Sequence, residues 1–482
     1  MEKLFKFKEN GTSARTEILA GLTTFMTMAY IIALNPNLLT NFGSGLGGDT
    51  DPVPTLWNAV FMATCIASAI GMFVMAFAAN KPFAMAPGMG LNSFFAVVVA
   101  NICGMAGVSY IQGFQAALCI ILIEGIIFII LSVLNIREKI VDAIPLGVRL
   151  GIAPAIGLML MNIGLGSNAG IYSETGGPFY VMGSFFQSLT ASEAAKSMGT
   201  GYPAMVLTVV TMFIGLFVIV ILAKKGVKGA VLLGMLAASV INWIGQFVFL
   251  HTNPFESLAT ASWVPPFGDM FSTTFFKFDF GTFFSIGWFT AITLIITFCM
   301  IDMFDTIGTL VGTASRAGMV DEKGNMPKMR EALLADAVGT VAGSVCGTST
   351  VTTFVESASG VEAGGRTGLT ALTTGIIFLA CMFLAPIAAI IPAAATSAAL
   401  IYVGVLMLSG LKNVNFDKME EFVPVALMLI AMPISGSIGH AIGIGLITYT
   451  VIQVFTGKAK EVSVLTYVIS LLFLVKFFLV TG

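Results

Sequence analysis

Apolar runs close to the roughly 20 residues that cross a bilayer as a helix recur along the whole chain, separated by short polar or basic turns. Seven lie at 17–35, 57–79, 84–102, 112–134, 140–163, 203–223 and 229–250. Seven more lie at 287–313, 332–347, 352–364, 368–391, 395–411, 422–434 and 437–456, and a last stretch at 462–480 has no counterpart. The pattern predicts an all-α polytopic membrane protein of 14 spans. The third member of each series is short and interrupted: APGMGLNSFFA carries Pro87, Gly88 and Gly90, and GTSTVTTFVESASG has Gly347 and Gly360 around a Ser/Thr cluster. Thr, Val and Phe at 350–355 favour extended backbone. Non-helical chain at membrane depth is tolerated only where it is buried in protein or lines a cavity. Short extended segments leading into half-helices are therefore expected in spans 3 and 10.

Composition agrees. The 482 residues are 57% hydrophobic and 10% charged, with a mean hydropathy of +0.96, whereas soluble domains carry about 25% charged residues. The net charge of −2 and the lack of a long basic run exclude nucleic acid as an expected partner. Six cysteines lie in or beside apolar spans without paired spacing, and read as small core residues. His251 and His440 stand far apart, without Cys or His neighbours; no metal or other cofactor is expected. The first apolar stretch is too long for a signal peptide and lacks a small-residue cleavage site, so it reads as a retained span.

Basic residues set the orientation. With residues 1–16 as a cytoplasmic N-terminus, twenty of the 23 Lys and Arg fall on the cytoplasmic side, and only Lys196 and Lys277 in the opposite loops. Two halves of seven spans, an odd number, must run in opposite senses, which makes an inverted repeat. Sequence echoes agree: LTTFMTMAYII (22–32) with IITFCMIDMFDTI (295–307), and the stretch 144–165 with 391–411. Matched broken segments in the two halves mark a transporter's binding site.

The candidate chemistry lies in those segments. FCMIDMFDTIGTLVG places Asp302 and Asp305 in an otherwise apolar span. A charge at the bilayer centre costs at least ~2.5–3.5 kcal/mol, so an acid there is a functional candidate by default. The two are three residues apart, on one helix face. Asp305, with Gly308 opening space beside it, is the better ligand candidate; Asp302 is the better proton-handling or structural one. Glu356 in TTFVES stands where extended chain enters a half-helix, whose N-terminal amides offer donors. Asn92 can both donate and accept, which suits an amide-like edge, though helix-to-helix bonding is its common alternative. Phe25, Phe94 and Phe354 are candidates to stack on a planar ring, and backbone around Val355 to read an edge. Glu124 and Asp336 are further membrane acids, for coupling or for tying helices together. No Lys or Arg lies deep in the broken segments, which favours a neutral donor-rich solute or a cation over an anion.

The stretches RTEILAGLTTFMTMAYIIALNP, APGMGLNSFFA, FDTIGTLVG and ADAVGTVAGSVCGTSTVTTFVESASGVEAGGRTGL resemble the AzgA-like purine permeases, a branch of the nucleobase–cation symporter-2 (nucleobase–ascorbate) superfamily. The resemblance runs over essentially the whole chain. It implies a core domain (17–134 and 287–391) moving against a gate domain (135–250 and 392–482), with 251–286 as an extracytoplasmic loop. It also implies a homodimer in the cell's inner (plasma) membrane and proton-driven uptake of adenine, guanine or hypoxanthine. The acids that hold the nucleobase fall on Asp305 and Glu356, and polar positions of the purine branch on Asn92 and Asp302. Some superfamily members have Glu in span 8 with His four residues on; here these are Asp305 and Thr309. The rival readings are a same-fold carrier of an inorganic anion or carboxylate, a membrane enzyme, for which no nucleophile–base pair or metal set is visible, and a passive channel.

Overall fold

The computed structural model describes residues 2–40, 53–134, 144–166, 202–259, 261–316, 319, 326–435 and 438–479. Of the basic residues counted for the orientation, Arg137, Lys139, Lys196 and Lys323 lie outside them. Helices α1 (Ala14–Met28) and α2 (Ile31–Leu39) form the first apolar rod, and α3 (Val53–Val74) follows. Strand β1 (Met85–Pro87) leads into α4 (Met89–Ala106), with α5 (Tyr110–Val133), α6 (Leu146–Leu165), α7 (Tyr202–Lys224) and α8 (Ala230–Gly245) after it. The second half comprises α9 (Trp288–Arg316), α10 (Met329–Cys346), strand β2 (Val351–Thr353), α11 (Ser357–Glu362) and α12 (Gly368–Ala380). It closes with α13 (Ala393–Met407), α14 (Met419–Ser435), α15 (Ile438–Phe455) and α16 (Val464–Leu479).

Local chemistry sets the ends. Ser13 caps α1 by accepting from Thr16 N. Ser109 and Gln112 form a reciprocal capping box on α5, directly after Gly107 ends α4 at φ 65°. Gly347 ends α10 at φ 108°, a left-handed turn that favours glycine. Among the described residues, eleven helices are long and apolar enough to cross a membrane. Three further segments read as spans in the sequence fall short by that measure: α10, β2 with α11, and the 17-residue α14. The unmatched apolar stretch is the 16-residue α16, packed on α15.

Two groups of helices pack among themselves. In one, α10 packs on α3 and α5, α12 on α1 and α3, and α9 on α5. In the other, α6 packs on α13, α14 and α15, and α7 and α8 on α13. They meet where α1 touches α8, where α4 and α9 touch α6, where α2 touches α13, and where α9 touches α15 and α16. The stretch 251–286, expected as a loop, holds three short helices. It sits against the first group: Thr274 Oγ1 donates to Cys346 O (3.0 Å) and Gln115 Nε2 to Thr273 O (2.8 Å). All six cysteines are free thiols.

Candidate functional site

The two broken segments meet. β1 and β2 pair antiparallel with Met85 opposite Thr353, Ala86 opposite Thr352 and Pro87 opposite Val351. Gly88 N donates to Thr350 O (3.1 Å) and Phe354 N to Ala84 O (3.0 Å), extending the ladder at both ends. The Ser357 hydroxyl accepts from Ala84 N (2.9 Å). Six residues at the crossing thus satisfy one another's backbone inside an otherwise helical body, as buried polar backbone requires.

Beside this crossing lies a cleft of about 450 Å³, counting its open part, lined by Tyr30, Asp305, Thr309, Phe354, Val355 and Glu356 among others. Glu356 is the residue just before α11, and Tyr30 Oη donates to its Oε1 at 2.8 Å. Asp305 comes from α9, one turn before Thr309. Gly88 is small for a packing reason. A Cβ there would lie 2.8 Å from Thr352 Cγ2, a collision, and 3.5 Å from Asp305 Oδ2, in contact with it. Thr353 also lines the cleft, and its hydroxyl has no hydrogen-bond partner among the described residues.

Of the residues singled out in the sequence, Asp305, Glu356, Thr309, Phe354 and Val355 converge on this cleft, Val355 being 52% exposed. Asn92, Phe25, Phe94, Asp302, Asp336 and Glu124 do not line it. Asn92 is fully buried: its Nδ2 donates to Asn35 Oδ1 (2.6 Å) and Pro87 O (3.2 Å), and its Oδ1 accepts from Ser349 Oγ. Its donor and acceptor are thus spent on the crossing rather than on an edge in the cleft. Phe25 packs edge-on against Phe378 at 5.7 Å. Asp302 is buried behind the ladder, where Thr306 Oγ1 lies 3.1 Å from its Oδ1, 2.9 Å from Asp336 Oδ1 and 2.7 Å from Thr352 Oγ1. Glu124, also buried, accepts from Thr350 Oγ1 at 3.1 Å. Phe94 pairs with Phe298 at 4.6 Å. The half-helix amides expected to serve a ligand are partly engaged, since Ser357, Ala358 and Ser359 donate back to Phe354, Val355 and Glu356 carbonyls.

Tyr30, Thr353 and the buried Glu17 were not singled out. Glu17 accepts from Arg366 N (2.8 Å), Thr367 N (3.2 Å) and Thr370 Oγ1 (2.6 Å), pinning the start of α12 to α1. An acid so close to the cytoplasmic polar segment carries no sequence signal that separates it from a solvated one.

Residues 15–439 match the Permease family of xanthine/uracil type. The chain belongs to this family. It is a multi-pass membrane transporter of the nucleobase–cation symporter-2 superfamily, as its motifs led one to expect, and not an enzyme. It is 37% identical to the adenine permease AdeP of Escherichia coli, covering 99% of this chain and 95% of that one. It is 38% identical to the guanine/hypoxanthine permease PbuO of Bacillus subtilis, covering 99% and 100%, and 38% identical to the putative permease MJ0326 of Methanocaldococcus jannaschii, covering 100% and 99%. Among solved structures, the transmembrane domain of the cyanobacterial bicarbonate transporter BicA superposes with a TM-score of 0.59 at 14% identity, covering 90% of this chain and 97% of that one. SLC26A9 does so with a TM-score of 0.62 at 10% identity, covering 92% and 65%. At such identities the likeness concerns the fold alone.

Proposed function

We propose that this permease imports purine nucleobases such as hypoxanthine, guanine or adenine, driven by protons, by alternating access. The observation that carries the reading is the pair of carboxylates, Asp305 and Glu356, lining one cleft at the crossing of the broken segments. A purine presents ring N–H donors along its edges and a flat apolar face. Asp305 and Glu356 accept from the N–H groups, the Thr353 hydroxyl bonds a ring nitrogen or oxo group, and Phe354 offers the face. Tyr30 holds Glu356 in one orientation. Two acids in one low-dielectric cleft do not both ionise readily, so the pair carries a proton in the loaded carrier. Behind them Asp302, with Thr306 and Asp336, and Glu124, through Thr350, brace the ladder and handle the proton's surroundings. Asn92 acts by fixing the crossing.

The two packed helix groups support a core that carries the site and a gate against which it slides, elevator-like, within fourteen spans arranged as an inverted repeat. The assembly is a homodimer in the inner membrane with the N-terminus in the cytoplasm. A second reading on the same fold, an anion or carboxylate carrier, is opposed by the two acids lining the cleft. The test is uptake of labelled hypoxanthine into proteoliposomes, with guanine and adenine as competitors. Accumulation driven by an inward proton gradient and abolished by a protonophore is expected. Uptake only down the purine gradient, or none from folded protein, would overturn the reading.

A further inference from the structure

A second cavity, of about 390 Å³ with its open part, adjoins the cleft and shares Asp305 and Thr309 with it. Its other wall is helix α6, through Arg149, Ile152 and Ile156, with Phe304 of α9 completing it. Two features make this cavity more than a gap between helices. Asp305 and Arg149 are the charged residues of its lining, opposite in sign, and they stand on different helix groups. Arg149 is the fourth residue of α6, which otherwise reads LGV-LGIAPAIGLMLMNIGL without another charge. A slide of the core along α6, away from the end where that helix begins, therefore carries Asp305 away from the guanidinium and past a stretch with no charge and, in Asn162, one strongly polar side chain. One helical turn of travel is about 5.4 Å, enough to move Asp305 from the level of Arg149 towards that of Ile156 in the same wall.

We propose that Arg149 is the proton-release residue of the transport cycle, a positioning residue that acts through Asp305 when the core stands at the cytoplasmic end of its travel. The inference rests on the proton-coupled reading above and on the orientation set by the basic loops. On the far side Asp305 meets no cation on α6, and the acid pair takes up its proton with the purine. At the cytoplasmic end a permanently charged guanidinium faces the carboxyl across a low-dielectric space and favours its ionised form. The O–H bond breaks, the electron pair stays on the carboxylate, and the proton leaves to cytoplasmic water. The remaining titratable groups on elements packed against α9 do not supply such a charge. Glu124 of α5, Asp336 of α10, Glu356 before α11 and Asp302 on α9 itself are acids. Arg330 of α10 donates to Val133 O at the helix ends. His440 of α15 packs on Phe477, and neither it nor Lys476 of α16 lines either cavity.

The test is proton-driven hypoxanthine uptake into proteoliposomes at fixed external pH while the internal pH is varied. Wild-type uptake falls as the interior is acidified, because the proton is no longer discharged. In Arg149→Gln the midpoint of that fall moves to higher internal pH by about one unit, a tenfold change in proton concentration, and Arg149→Lys restores most of it. Ile152→Lys, which adds a second cation to the same cavity, moves the midpoint the other way. It carries the test should Arg149→Gln fail to show a purine-dependent rise in melting temperature. Coincident profiles for wild type and the folded variants, or an equal shift in the Gln and Lys variants, would overturn the proposal and leave the transport reading standing. Wild-type protein that shows no proton-driven accumulation would instead sink the transport reading itself.

Discussion

Tyr30→Phe isolates one atom of the site. The phenol donates to Glu356 Oε1 at 2.8 Å, and the Tyr30 side chain is fully buried. Removing the hydroxyl keeps the ring and its packing, so the loss is confined to one hydrogen bond to a carboxylate. Such bonds contribute ~1.5–3 kcal/mol. Glu356 is only partly buried, and water entering the cleft replaces some of what is lost, which places the effect at the lower end. At 1.4 kcal/mol per tenfold, hypoxanthine binding weakens by about tenfold. The assay is equilibrium binding of labelled hypoxanthine to detergent-solubilised protein, with the melting temperature measured alongside. A purely structural hydroxyl would lower the melting temperature and leave affinity alone. A dissociation constant within about twofold of wild type would refute the idea that Tyr30 aims the carboxylate.

Other perturbations separate scaffold from site. Glu17→Gln sets an amide N–H against one of the three donors that the carboxylate now accepts. It is expected to cost about 2–4 kcal/mol, seen as a lower melting temperature, while purine affinity of the folded fraction stays unchanged. A Cβ on Gly90 would lie 2.6 Å from Ile156 Cγ2, across the contact between α4 and α6. Gly90→Ala is expected to slow uptake at least about tenfold by overpacking that contact, and Ile156→Ala in the same chain to restore part of the rate; absence of rescue would argue against a sliding surface there. Lys81, in the turn before β1, is held below the ordinary lysine range by burial and by the neighbouring Lys328. The unfolded chain therefore binds that proton more readily, and stability rises with pH up to the unfolded lysine value. Lys81→Met should raise the melting temperature at neutral pH, with the gain shrinking as the pH approaches that value.

The parts of the fold legible in the sequence are those where a residue type is out of place. Pro87, Gly88 and Gly90, and the Ser/Thr run before Glu356, interrupt apolar stretches, and they mark the two strands that pair. That Met85 faces Thr353 was not legible, because matching positions in two halves say which segments are broken but not their register. Asp305 and Glu356 stood out because an acid in an apolar span has few structural excuses. Asn92 did not discriminate: the donor and acceptor that suit a ligand edge suit Asn35, 57 positions earlier, and Ser349 equally well. Tyr30 hid among aromatics that, like Phe25 and Phe94, pack on other rings. Its role follows from a contact with Glu356 across 326 positions, which no local pattern announces. Thr353 hid likewise, one hydroxyl in a run whose other members, Thr350 and Thr352, face the buried acids and threonines behind the ladder.

Purine transport by this permease depends on the two acids of the cleft. Uptake of labelled hypoxanthine into proteoliposomes under an inward proton gradient, compared for wild type, Asp305→Asn and Glu356→Gln, tests them most directly. Each variant keeps the side chain's size while removing its charge and one acceptor. Proton-driven accumulation of purine should vanish in both, by at least about a hundredfold in rate if each carboxylate loses a charge-assisted bond of ~3 kcal/mol, with both proteins folded by melting temperature. Concentrative uptake at the wild-type rate in either variant would show that the purine is held elsewhere.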